Sequence, residues 1–166
     1  MRFGFSRNAG VVAAVVVLFC LQPNLRAQGP FGAPSENSAF SIPQAQLIQP
    51  AELDTALGAA GADKPLVLQV GSRVLFAQAH IAGSEYVGPG SQPEGLQQLE
   101  KRVSPLPRQT PLVLYCGCCP WNRCPNVGPA FKRLQSLGFT HVKVLYIANN
   151  LGTDWVDKGF PVERSR

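Results

Sequence analysis

Three compact apolar runs punctuate the chain: Pro65 to Val70, Pro111 to Tyr115 and Val142 to Ile147. Each is too short for a helix, is rich in leucine and β-branched residues, and ends near glycine, proline or polar residues. That combination predicts strands buried on both faces. Between them the period changes. Leu53 and Leu57 stand four apart behind Pro50, with Glu52 in the first turn, which predicts a short helix opening at Pro50. Leu96, Leu99 and Val103 recur at spacings of three and four and predict a surface helix over Glu94–Val103. Phe131, Leu134 and Leu137 share a helical face from about Val127, and Gly138 suits the end of that helix. Arg73 to Ala79 and Gly152 to Lys158 can each supply a turn or two of helix, His80 to Gly83 a turn, and Gly88 to Pro93 a loop. Strands alternating with helices predict an α/β fold on a mostly parallel sheet, with ligands at the carboxyl ends of its strands.

The first residues follow another pattern. Arg2 and Arg7 form a basic head, and Gly10 to Leu21 is an unbroken valine-rich run, shorter than the ~20 residues of a comfortable membrane span. Residues 1–27 are therefore expected to be a secretory signal peptide cut near Ala27, an uncleaved anchor being the alternative. The mature protein is then periplasmic or secreted, with no stable membrane span. Residues 28–49 carry Gly29, Pro30, Gly32, Pro34 and Pro43 among polar fill and read as a linker or N-terminal arm, leaving 50–166 as one domain.

Cleavage changes the charge argument. The whole chain has a formal net charge of +5, but Arg2, Arg7 and Arg26 leave with the signal, and all ten acidic residues lie at Glu36 or beyond. The small remaining excess is scattered, which excludes the clustered basic face of a nucleic-acid binder.

Cleavage also removes Cys20 and leaves four cysteines, Cys116, Cys118, Cys119 and Cys124, between the second strand and the third helix. In an oxidising compartment they could be disulfides, metal thiolates or catalytic thiols. Cys116 and Cys119 have the Cys-x-x-Cys spacing of redox dithiols and metal sites, and all four together could hold zinc or copper(I). Adjacent Cys118 and Cys119 cannot bond to each other without strain, so a disulfide staple would pair them with Cys124 and Cys116. Two distant histidines, His80 and His141, make a histidine-rich metal site improbable; neither a phosphate-binding glycine loop nor a serine–histidine–acid set is present.

The order of elements and motifs resembles the rhodanese-like domain family of sulfurtransferases over roughly Gln49 to Glu163. Tyr115 and Cys116 end a strand where that family has its active cysteine. Gln69, Val70 and Gly71 stand where the family commonly has Asp-Val-Arg. Phe76 follows, and Ala79, His80, Ile81, Ala82, Gly83 and Ser84 match Gly-His-Ile-Pro-Gly-Ala; Trp155, Gly159 and Pro161 match its closing pattern. The resemblance implies a three-layer α/β/α domain around a mostly parallel sheet. It also implies a persulfide cradled by loop amides, and transfer of sulfane sulfur from a small donor to a thiol or cyanide-like acceptor, with no organic cofactor. Two departures stand out: the charged pair is lost at Gln69 and Gly71, and the cysteine loop is longer than usual.

The resemblance nominates Cys116 as carrier because it follows the strand directly. Cys118 is the alternative, since Cys118 and Arg123 have the family's spacing of cysteine and arginine, with Arg123 supporting an anionic donor. The same fold could instead display a disulfide or thiolate loop for metal or partner binding, or exchange disulfides through Cys116 and Cys119. The expected fill of the turn by His80 is structural, and Trp121 either shields the site or packs over the loop.

Overall fold

A computed structural model describes residues 42–165. The expected signal peptide and the arm up to residue 41 lie outside the described residues. In chain order the elements are β1 (Leu47–Ile48), α1 (Pro50–Leu57), β2 (Leu66–Gln69), α2 (Arg73–Gln78), β3 (His80–Ile81), β4 (Glu85–Tyr86), α3 (Pro93–Val103), β5 (Leu112–Tyr115), α4 (Val127–Ser136), β6 (Val142–Leu145), α5 (Leu151–Asp154) and β7 (Val162–Glu163). The sheet runs β1-β6-β5-β2-β4 with every pairing parallel. Among the described residues, no helix is long and apolar enough to cross a membrane.

The strands are apolar on consecutive residues because each face of the sheet is covered. Side chains alternate along a strand, so Leu68, Leu112, Leu114 and Val144 meet Leu99 and Val103 of α3 and Phe131 and Leu134 of α4. Val67, Val113, Tyr115 and Leu145 point the other way, to Leu53 of α1, Leu151 of α5 and the fully buried Trp155. The result is the expected three-layer α/β/α domain. Its helices start and stop where the sequence marks them: Pro50 opens α1, Glu52 reaches back to accept from the Gln49 N–H at 2.8 Å, and Gly138, at φ +85°, follows α4.

Two details differ from the expectation. Residues 42–49 are part of the packed domain: Ile42 is buried and β1 forms an edge of the sheet. His80 and Ile81 form no mere turn but a short strand antiparallel to β7, which ties the chain's end to the middle of the domain.

β2 and β5, in register with Gln69 opposite Tyr115, are the sheet's central pair on the site side. Their carboxyl ends deliver Gly71 and Cys116 side by side.

Candidate functional site

Cys116 is the first residue beyond β5 and is 3% exposed. Gly117, at φ +88°, turns the chain sharply, and its carbonyl accepts from the Leu151 N–H at 2.9 Å. The loop then passes through a single 3-10 turn, Trp121–Arg123, held by donation from the Trp121 N–H to the Ile147 carbonyl at 2.9 Å, and enters α4 at Asn126. Trp121 is half-buried against the α3–α4 core, with its ring 6.3 Å from that of Tyr146, so it packs under the loop.

The turn at Gly117 brings the cysteine sulfurs together. Cys116 Sγ lies 3.2 Å from Cys118 Sγ, and Cys118 Sγ lies 3.2 Å from Cys119 Sγ. These separations exceed the ~2.05 Å of a disulfide bond, and all four cysteines are free thiols. The sulfurs of Cys116, Cys118 and Cys124 all lie within 4.8 Å of one another. Cys118 and Cys124 thus both approach Cys116, while Cys119 touches Cys118. Cys118 is exposed and Cys124 is buried in the core.

The surroundings of Cys116 favour its thiolate. The Cys124 thiol donates to it, as do the Cys118 thiol, the Cys118 N–H and the Asn126 side chain, and together they outweigh burial and hold its pKa down to about 5. The other two thiols are held protonated by the same arrangement. Partial burial and the hydrogen bond to Cys116 push Cys118 up to about 12, and donation to Cys116 together with burial pushes Cys124 up as well. The backbone amides of Asn126 and Val127, at the start of α4, are directed at Cys124. The helix N-terminus therefore acts on Cys116 through an intervening thiol.

The resemblance left the neutral residues Gln69 and Gly71 unexplained, and the geometry accounts for both. The buried Gln69 amide donates to the Cys116 carbonyl at 2.9 Å and accepts from the Gly71 N–H at 3.1 Å, joining β2 to the cysteine loop without charge. A Cβ on Gly71 would stand 2.7 Å from Cys116 Sγ and 2.8 Å from the Cys116 carbonyl oxygen, so only glycine lets the strands' ends approach so closely. Below the site, Tyr115 exchanges a 2.9 Å hydrogen bond with Ser84 and accepts from the Ile81 N–H at 3.3 Å; burial pushes its phenol up to about 12. His80 is buried, stacked on Phe76 at 3.8 Å, with Nδ1 2.7 Å from the Phe76 carbonyl, which is the structural role expected of it. His141 is exposed.

A cleft of about 360 Å³ opens over Cys116, Gly117 and Cys118, walled by Gln69, Leu75 and Leu151. Arg123 ends the 3-10 turn, is exposed, and is absent from the cleft lining. Sequence reasoning brought Cys116, Cys118 and Cys124 to one place but missed Asn126 and Ser91. Asn126 Nδ2 donates to Cys116 Sγ at 3.4 Å, while its Oδ1 accepts from the Ser91 N–H at 3.1 Å and from Ser91 Oγ at 2.7 Å. The available signal was an asparagine entering a helix after a cysteine-rich loop, which reads equally as an ordinary cap.

No protein-family model matches the chain, and no curated protein matches its sequence. Solved structures do. The rhodanese-like domain of an Anabaena sp. protein is 22% identical, with a TM-score of 0.51 over 72% of this chain and 79% of that one. A Bacillus halodurans protein is 22% identical, with a TM-score of 0.52 over 71% of this chain and 76% of that one. The thiosulfate sulfurtransferase of Pseudomonas aeruginosa is 25% identical with a TM-score of 0.52; the likeness covers 72% of this chain but 19% of that enzyme. The fold is rhodanese-like, and the cysteine cluster sits at the carboxyl end of its central strand.

Proposed function

We propose that the protein is a secreted or periplasmic sulfurtransferase that carries sulfane sulfur as a persulfide on Cys116. The observation that carries this reading is a buried cysteine at the end of β5, surrounded by four hydrogen-bond donors and opening onto a cleft. Its thiolate attacks the outer sulfur of a donor such as thiosulfate; the donor's S–S bond breaks and sulfite departs with the electron pair. A thiol or cyanide then attacks the outer sulfur of the persulfide, and the Cys116 thiolate leaves. Cys116 suits the departure as well as the attack, because a thiolate stabilised by donors is a good leaving group. No organic cofactor takes part in either step. Arg123 is the only cation between Cys116 and Asn126. Its exposure suits attraction of an anionic donor through solution, not contact with the reacting sulfur.

The test is formation of thiocyanate from thiosulfate and cyanide by the reduced protein. Cys116→Ser is expected to abolish it, and Cys118→Ser to leave transfer to this external acceptor in place. If Cys116→Ser keeps the rate, or the reduced wild type is inert, the reading fails.

One observation favours a second reading. Three sulfurs within 4.8 Å could hold a soft metal ion, with Cys116, Cys118 and Cys124 as ligands and Cys119 adjacent. Three thiolates suit copper(I) better than structural zinc, which takes four ligands. That reading predicts stoichiometric metal in the purified protein, lost when these cysteines are replaced.

A further inference from the structure

A carrier needs a single thiol, yet a second sulfur stands in contact with this one. We propose that Cys118 is a resolving thiol, which converts the Cys116 persulfide into a Cys116–Cys118 disulfide and releases the carried sulfur as hydrosulfide. The inference rests on the carrier reading above and names the acceptor within the chain.

The geometry is specific to Cys118. Its sulfur lies 3.2 Å from Cys116 Sγ, the inner sulfur of a persulfide and the atom a resolving thiol must attack. Gly117 makes that approach possible, since φ +88° folds the chain back across one residue. Cys124 is also near, but its buried sulfur is held by the Asn126 and Val127 amides, so swinging it into a disulfide would cost those bonds. Cys119 Sγ touches Cys118 Sγ at 3.2 Å and so stands one sulfur further from the carrier. Cys118 is also the exposed member of the contacting pair, so a disulfide formed there stays within reach of an external reductant.

The step balances without a further reactant. Cys118 S–H meets the persulfide anion; a bond forms between Cys118 Sγ and Cys116 Sγ, and the bond from Cys116 Sγ to the outer sulfur breaks. The outer sulfur leaves with the electron pair and takes the Cys118 proton, departing as HS⁻. Two thiol sulfurs are oxidised to a disulfide and one sulfane sulfur is reduced to sulfide. The ring closed across Gly117 is strained, and strained disulfides exchange readily, so a thiol or dithiol reductant restores the pair.

The experiment is a single turnover without acceptor. Reduced protein, freed of reductant and kept anaerobic, is mixed with one equivalent of thiosulfate, and sulfite, sulfide and intact mass are read. Wild type is expected to release one sulfite and one sulfide per chain and to end two hydrogens lighter. Cys118→Ser and Cys118→Ala are expected to release sulfite, keep the extra sulfur, and release sulfide at least about tenfold more slowly. Cys119→Ser should behave as wild type. Undiminished sulfide release from the Cys118 variants overturns the proposal, as does a wild type that keeps its extra sulfur. Absence of sulfite from every protein overturns the carrier reading and this proposal with it, so sulfite separates the two failures.

Discussion

Asn126 Nδ2 donates to Cys116 Sγ at 3.4 Å, and Ser91 holds Asn126 in that orientation by donating twice to its carbonyl oxygen. With Oδ1 occupied by two donors, the NH2 end must face the sulfur. The pair joins α4's capping residue to the loop before α3. Replacing Asn126 by Ala removes one of the donors that stabilise the thiolate, and a hydrogen bond to a charged group is worth about 1.5–3 kcal/mol. The expected result is a midpoint for Cys116 ionisation raised by about one pH unit, seen in the pH dependence of sulfite release in a single turnover. Ser91→Ala should move it in the same direction by less.

The pH profile of the wild type follows from the same donors. Cys116 is an acid whose pKa is lowered to about 5, so the reactive anion predominates above that pH and is lost below it. Sulfite release should rise through about pH 5 and stay level to pH 8. Cys118, pushed up to about 12, contributes no second inflection in that range. A rise centred near the ordinary thiol range, about 8.5, would contradict the described environment.

Gly71 is the tightest steric point of the site. Gly71→Ala places a methyl group 2.7 Å from Cys116 Sγ and 2.8 Å from the Cys116 carbonyl oxygen, and backbone must shift to accept it. The expected outcome is loss of sulfur transfer of at least about a hundredfold, with a destabilisation of about 1–3 kcal/mol in denaturant unfolding.

Gln69 serves structure where the family resemblance led one to expect a charge. In Gln69→Leu the Cys116 carbonyl and the Gly71 N–H both lose their partner in a buried setting. A loss of about 1–3 kcal/mol of stability is expected, from unfolding curves. Gln69→Glu should keep the acceptor for Gly71, lose the donor to Cys116 and place an anion near the thiolate, raising the pH midpoint for sulfite release.

What the sequence made legible was whatever depends on runs and spacing. Leu66–Gln69 and Leu112–Tyr115 are buried on both faces and so read as unbroken apolar strands, and the loop between Cys116 and Cys124 announces itself by composition. Leu47–Ile48 escaped notice because two apolar residues among Gln44, Gln46 and Gln49 carry no period, and their strand exists only because β6 offers an edge. His80–Ile81 and Val162–Glu163 are equally short and are strands by virtue of each other. The same holds for the site. Cys116 is visible from its place after a strand, whereas the contact from Asn126, the brace from Ser91 and the bridge at Gln69 depend on loops brought together by the sheet. The Cys-x-x-Cys spacing pointed to Cys119 as the partner of Cys116. The left-handed turn at Gly117 instead brings Cys118 against it, and spacing alone does not reveal that turn.

The most direct measurement locates the extra sulfur in Cys118→Ser protein after one equivalent of thiosulfate, by fragmentation of the peptide spanning the loop. The account predicts one added sulfur on Cys116 and none on Cys119 or Cys124. An added sulfur on either of those residues, or a loop that gains none while thiosulfate is turned over, would contradict it.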